Sequence, residues 1–125
     1  MTTEKNIETV QTAWAFLGAG ELDKLAALYS EDMNFVIPGQ NDVLSGRSAF
    51  RAALNSIGEA LPGGFDITDM SYFGGDGDVM NLVKWKSNKV PEGTQSAILW
   101  KFDTSGRITE ERWFVDTEQW RVALG

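Results

Sequence analysis

The hydrophobic pattern changes period at Pro62-Gly63-Gly64, and that change constrains the fold more than any other feature. Before it, apolar residues recur at helical spacing; after it, they alternate. The longest alternation lies in Ser96–Gln119, SAILWKFDTSGRITEERWFVDTEQ. Two runs, Ser96–Asp103 and Arg107–Val115, flank the turn Thr104-Ser105-Gly106, which is a hairpin signature. Side chains alternate faces along a strand. One face of the first run carries Ile98, Trp100 and Phe102, and one face of the second carries Thr109, Glu111, Trp113 and Val115. Where those faces coincide, two indoles and a carboxylate share one surface. Such a surface needs a cover, and the N-terminal half of the chain supplies it.

Thr3–Leu17 reads as a helix, with Ile7, Val10, Trp14 and Leu17 on one stripe beside Ala13. Thr2 or Thr3 caps its start, and Gly18 or Gly20 ends it. A second helix is expected over Glu21–Tyr29, its apolar face made by Leu22, Leu25, Leu28 and Tyr29. Met33–Ile37 is a short strand stopped by Pro38-Gly39, and Gln40–Ser45 a polar loop. The third helix starts near Ser45 or Gly46 and buries Phe50, Ala53, Leu54, Ile57 and Leu61. Strands then follow over Phe65–Phe73 and Val79–Asn88, with turns at Gly74–Asp78 and Lys89–Gly93, and Thr117–Leu124 closes the chain as a helical turn or two. Helices first and antiparallel strands later is the α+β pattern. The predicted fold is therefore three helices packed on one curved antiparallel sheet. The length of 125 residues, with no linker or repeat, suits a single domain over residues 1–125.

Composition narrows the chemistry. There is no histidine, which removes the commonest general base, the commonest metal ligand and any Ser-His-Asp triad. There is no cysteine, hence neither disulfide nor thiol nucleophile. The net charge of −7 disfavours nucleic acid and anionic membrane surfaces as partners. The N-terminus MTTEKNIETV lacks a basic region followed by an apolar one, and no apolar run reaches spanning length, so a cytoplasmic location is expected. Asp76-Gly77-Asp78 lacks the glycine and terminal glutamate of a calcium loop, so it reads as a turn and no metal site is expected. Without a Gly-rich nucleotide loop, no cofactor is expected.

The order of elements resembles the nuclear transport factor 2-like superfamily, in its SnoaL-like and ketosteroid isomerase-like branch. The residues that carry the resemblance are Trp14, Phe16 and Leu17 with Gly20-Glu21-Leu22-Asp23, then Leu28-Tyr29-Ser30-Glu31-Asp32. Pro38-Gly39, Gly46 with Phe50, Gly106-Arg107-Ile108 and Glu111–Asp116 continue it over nearly the whole chain. The resemblance implies a cystatin-like cone whose mouth holds an apolar pocket, and a homodimer. It does not carry over the steroid isomerase trio of tyrosine, base and oxyanion-binding Asp, whose positions fall at Ala13, Ile37 and near Ile98. The carboxylate–histidine pair of SnoaL-type cyclases is incomplete, since there is no histidine.

Two catalytic candidates follow. Glu111 shares a face with Trp113 and Val115, and a carboxylate among indoles has its pKa raised by desolvation, which suits a general acid or base. Against this stands a rim position in water, or a one-residue slip that turns Glu110 inward. A third outcome pairs Glu111 with Arg112 or Lys101 as a structural charge. Asp116 follows the last strand where the resemblance implies that an Asp can be catalytic, but with Gln119 three residues on it also reads as a helix cap. Asn81 either orients a ligand or ties down backbone. Asp42 either overhangs the pocket mouth or is a solvated turn residue. Trp14, Trp85, Trp100 and Trp113 exceed what core filling requires, and Trp85 is expected one strand beyond Trp100. The substrate pocket is expected to be lined by these four with Asn81, by Phe35, Ile37, Phe50 and Leu54, and by Val83 and Ile98. Trp120 seals an end of the cone or makes a dimer contact, and Lys84 and Lys86 are solvated.

The expected function is a cofactor-independent enzyme of isomerase, dehydratase, cyclase or hydrolase type, acting on a small apolar or aromatic molecule. The alternatives are a non-catalytic binding domain for a small hydrophobic ligand and a dimerising module whose aromatic face is filled by its own side chains. Apolar residues on both faces of the long strands, Met80 and Leu82 against Val83 and Trp85, point to a homodimer through the outer face.

Overall fold

Helix α1 runs Thr3–Ala19. The Thr2 hydroxyl caps it, accepting the Lys5 N–H at 3.2 Å. Gly20 ends it at φ 73°, a left-handed turn that glycine makes without a Cβ clash. This computed structural model describes residues 2–37, 42–59 and 61–125, without the side chains of residues 37, 42 and 57–59. The expected positions at Pro38, Gly39, Gln40 and Asn41 lie outside the described residues, as do the side chains of Ile37, Asp42 and Ile57.

Helix α2 is only Leu22–Ala26, and strand β1 starts early, at Tyr29–Ile37. The expectation of a helix through Tyr29 is corrected here. Five residues leave a helix few internal hydrogen bonds, and the sheet competes for the next ones. The Leu28 carbonyl accepts the Ile108 N–H at 3.0 Å, which draws Tyr29 into the sheet beside Ile108. The expected loop before the third helix is corrected too: Asp42–Ser45 is strand β2, paired antiparallel with β1. Helix α3 follows at Arg47–Glu59, then β3 at Asp66–Gly74, β4 at Asp78–Lys86, β5 at Thr94–Phe102, β6 at Ile108–Phe114 and α4 at Thr117–Leu124. At the β5–β6 turn the Asp103 carboxylate accepts the N–H groups of Ser105 and Arg107 at 2.9 and 3.0 Å, an Asx-type turn that holds the hairpin register.

The described strands form one curved, unclosed sheet in the order β2-β1-β6-β5-β4-β3. Every pairing is antiparallel except β1 with β6, which is parallel. α1 packs across β3 and β4, and α3 packs on β1 and β2. Between helices and sheet lies the core, where Val10, Met33, Val79, Val83, Ile98 and Ile108 are fully buried. On the outer face, register lines up Phe73, Met80 and Leu99 in one row and Leu82, Ala97 and Phe114 in the next. Phe73 is 58% exposed and Phe114 43%.

Candidate functional site

The hairpin faces coincide. Glu111 pairs with Trp100 across β5–β6 and with Phe35 across β1–β6, so the carboxylate stands between two aromatic residues on the inner face. Trp113 lies two residues on, opposite Ile98. From α1 come Ala13, Trp14 and Leu17; from α2, Leu25; from α3, Phe50 and Leu54. Tyr29 enters from the start of β1. Together these residues enclose an apolar cavity of about 60 Å³.

Glu111 is 6% exposed. Tyr29 Oη donates to its Oε1, and Trp113 Nε1 donates to its Oε2 at 2.6 Å. The cations nearest in sequence look elsewhere. Arg112 Nε and Lys101 Nζ both reach Glu110 Oε2, at 3.1 and 3.8 Å. Glu110 is thus the ion-paired neighbour, and among the described residues Glu111 has no ion-pair partner. Burial disfavours its charge and outweighs the two hydrogen bonds, which favour it; the carboxyl pKa rises to about 7. Burial, then the Glu111 charge, raises the Tyr29 phenol well above its ordinary value, so near neutral pH it remains a donor. A carboxyl that titrates near neutrality can both take and return a proton.

The remaining candidates are placed as follows. Trp14, Phe35, Phe50, Leu54, Trp100 and Trp113 line the cavity with Glu111. Asn81 does not: its Oδ1 accepts from Trp14 Nε1 at 2.9 Å and its Nδ2 donates to the Ser71 carbonyl at 3.2 Å, so it ties α1 to β3. Val83 and Ile98 are fully buried in the core and do not line the cavity. Trp85 does lie one strand beyond Trp100, on β4, but not beside it and not at the cavity. Trp100 faces Val79, whereas Trp85 faces Thr94 at the other end of β4. There it packs on Phe65 and edge-on against Trp120, with Nε1 donating to Ser96 Oγ at 3.0 Å. The indoles at the cavity are therefore three, Trp14 standing edge-on to Trp100 and Trp113 at 6.4 and 6.2 Å. Asp116 caps α4, accepting the Gln119 N–H at 3.0 Å, and is exposed. Lys84 and Lys86 are exposed.

Tyr29 is the residue that sequence reasoning missed. The signal was faint: Phe35 and Met33 alternate, but the exposed Glu31 and a register shift between Tyr29 and Asn34 break the period before it reaches Tyr29. A second, open cleft of about 540 Å³ lies between α2 and α3. Its guanidiniums are already engaged, Arg51 Nε with Asp23 Oδ1 at 2.7 Å and Arg47 with Glu31 at 3.5 Å. It is the larger space, but its lining offers no buried acid–base group.

Residues 10–111 match the model of the SnoaL-like domain family. No curated protein matches the chain. Among solved structures, an NTF2-like protein from Burkholderia xenovorans LB400 aligns over 100% of this chain and 99% of its own, at 18% identity and TM-score 0.77. A candidate polyketide cyclase from Xanthomonas campestris pv. campestris aligns over 98% of each chain at 16% identity and TM-score 0.77. A candidate ketosteroid isomerase from Kribbella flavida DSM 17836 aligns over 90% of this chain and 78% of its own, at 16% identity and TM-score 0.72. At these identities the likeness is one of fold.

Proposed function

The chain belongs to the SnoaL-like domain family, and we propose that it is a small-molecule enzyme of isomerase, dehydratase, cyclase or hydrolase type with Glu111 as its acid–base group. One observation carries this reading: a carboxylate with no ion-pair partner among the described residues lines an apolar cavity, buried among aromatic side chains, and that burial raises its pKa to about 7. A carboxyl matched to neutral pH is what proton transfer requires, and a merely structural glutamate would be better held by a cation. Tyr29 keeps the carboxylate oriented and donates to it. Asp116 drops out of the catalytic set, because its capping bond accounts for it.

The reaction expected is a proton transfer at a small, mostly apolar substrate. It is tested with a panel of compact ketones, enones and epoxides, following solvent deuterium incorporation or ring opening by NMR. Glu111→Gln should lower turnover at least about 100-fold, the usual share of a general acid–base group, while leaving KM within a few-fold. A Glu111→Gln enzyme with wild-type rates, or a carbon NMR titration of Glu111 centred at an ordinary glutamate value, sinks the assignment.

A second reading, an interaction module filled by its own side chains, is favoured by the cavity size. About 60 Å³ is well short of the roughly 150 Å³ apolar cavity known to take a benzene ring, so a ring enters only as side chains yield. Absence of turnover and of binding across the panel selects this reading. In either case the proposed assembly is a homodimer through the outer sheet face, where Phe73 and Phe114 are exposed beside Met80, Leu82 and Leu99. Light scattering at micromolar concentration should give twice the chain mass; monomer mass rejects the dimer.

A further inference from the structure

All five indoles of this chain take part in the two aromatic clusters; the N–H of Trp120 is not among the buried, unpartnered atoms of the described residues, and of the other four indoles three have their N–H satisfied. Trp14 donates to Asn81, Trp85 to Ser96 and Trp113 to Glu111. Trp100 is the exception. It is 3% exposed, it lines the cavity opposite Glu111, and its Nε1–H has no acceptor among the described residues. Among the described residues two other buried side-chain polar atoms lack partners, Asn6 Oδ1 and Ser30 Oγ, and neither residue lines the cavity. Buried donors are nearly always paired, because an unpaired one forfeits its hydration with no return. A phenylalanine at this position would fill apolar space without that penalty.

We infer that the acceptor for Trp100 Nε1–H is an oxygen of the ligand, so that the substrate class is a compact apolar molecule bearing one carbonyl or ether-type oxygen rather than a hydrocarbon. This rests on the reading of the cavity as a ligand site, and it concerns binding rather than turnover. The chemistry of the walls agrees. The cavity's other donors, Tyr29 Oη and Trp113 Nε1, are committed to Glu111, and Trp14 Nε1 to Asn81. Trp100 is thus the one indole at the cavity whose N–H is unpaired among the described residues, and since its Nε1 is itself covered, an oxygen reaches it as neighbouring side chains yield. Because Trp100 and Glu111 are directly paired across β5–β6, an oxygen held by the indole brings the adjoining carbons to the carboxylate side of the cavity. A ligand without an acceptor oxygen would leave the donor unpaired, and sites built to hydrogen-bond a ligand discriminate against analogues that lack the group.

The test uses cyclopentanone and methylenecyclopentane, which differ in an oxygen against a CH₂. Binding to the wild-type chain is followed through the indole Nε1–H resonances in a ¹⁵N-labelled sample. The ketone is expected to bind on the order of tenfold tighter than the alkene and to move one indole signal downfield, the one absent from Trp100→Phe. Trp100→Phe should lose that preference and bind the two alike. Equal binding of both compounds by the wild type overturns the inference while leaving a ligand cavity in place. Binding of neither overturns it together with the cavity reading. Should Trp100→Phe fold poorly, the wild-type comparison decides alone, since a ketone that binds without shifting any indole N–H signal has found another partner.

Discussion

Two aromatic clusters share the inner face of one sheet and follow different rules. Trp85 lies six residues along β4 from Val79, the partner of Trp100, so the clusters stand about 20 Å apart. Around Trp85, the rings of Phe65 and Trp120 close at 5.2 and 5.5 Å, and the indole N–H is satisfied by Ser96 Oγ. Around Trp100, Trp14 and Tyr29 stand off at 6.4 and 6.5 Å although Tyr29 and Phe50 close to 4.6 Å, a cavity remains, and among the described residues a carboxylate is buried without a cation and one indole N–H is unpaired. Both clusters are built on tryptophan, with three indoles at the cavity and two around Trp85. What separates packing from a proposed site is therefore the hydrogen-bonding capacity and charge left over after the protein has satisfied what it can.

The largest expected consequence is in the pH dependence of stability. The Glu111 carboxyl moves from 4.5 to about 7 on folding, which corresponds to about 3 kcal/mol. The sign follows from the raised value: the folded chain holds this proton more tightly than the unfolded chain. The contribution is fully present below about pH 4.5 and is lost as pH rises through about 7. Asp103, held low mainly by the Ser105 hydroxyl, acts with the opposite sign and at lower pH, so it does not mask the trend. Denaturant unfolding between pH 4.5 and 8 should show wild-type stability falling across that window and a flatter profile for Glu111→Gln. Parallel profiles would mean that Glu111 ionises in the fold as freely as in water, and the contrast between the clusters would lose its electrostatic half.

The contrast was half legible in the sequence. Alternation from Ile98 to Val115 placed Trp100, Glu111 and Trp113 on one surface, because period-2 patterning fixes faces wherever one face is buried. The same patterning could not say how far along a strand two residues lie from a shared partner. Hence Trp85 is expected in the pocket, one strand beyond Trp100, whereas the β4–β5 register sends it to the far end of that strand. Tyr29 was lost for a different reason. Leu22, Leu25, Leu28 and Tyr29 fit a helical stripe, but a helix this short yields to the parallel pairing with β6, which is remote in sequence. The Asp116 cap was legible because capping is local. The unpaired N–H of Trp100 was not, since satisfaction depends on every neighbour at once.

Tyr29→Phe sharpens the charged side of the comparison. Its hydroxyl donates to Glu111 Oε1 and so favours the ionised carboxyl. Hydrogen bonds to charged groups contribute about 1.5–3 kcal/mol and neutral ones about 1 kcal/mol. The variant should therefore lose about 2 kcal/mol at pH 8, where Glu111 is mostly ionised, and about 1 kcal/mol at pH 5, where it is protonated. The Glu111 midpoint in carbon NMR should move above the wild-type value. A loss of equal size at both pH values, with an unmoved midpoint, would show that the phenol only fills space.

The smallest effect gives the most direct comparison of the two clusters, through Trp85→Phe and Trp100→Phe in the ligand-free chain at pH 5. Both indoles are almost fully buried, at 2% and 3% exposure. Each substitution removes the same atoms, so the transfer and cavity contributions cancel to first order. What remains is the N–H. Trp85→Phe breaks the bond to Ser96 Oγ and strands a buried hydroxyl, a loss of about 1 kcal/mol. Trp100→Phe breaks no protein hydrogen bond and relieves a buried, unpaired donor. Trp85→Phe should thus be less stable than Trp100→Phe by about 1–2 kcal/mol. At pH 5 Glu111 is protonated in both, which keeps its charge out of the difference. If the order reverses, the Trp100 N–H has found a partner within the protein in solution. An oxygen of the ligand would then no longer be needed there, and the two clusters would differ only in the carboxylate.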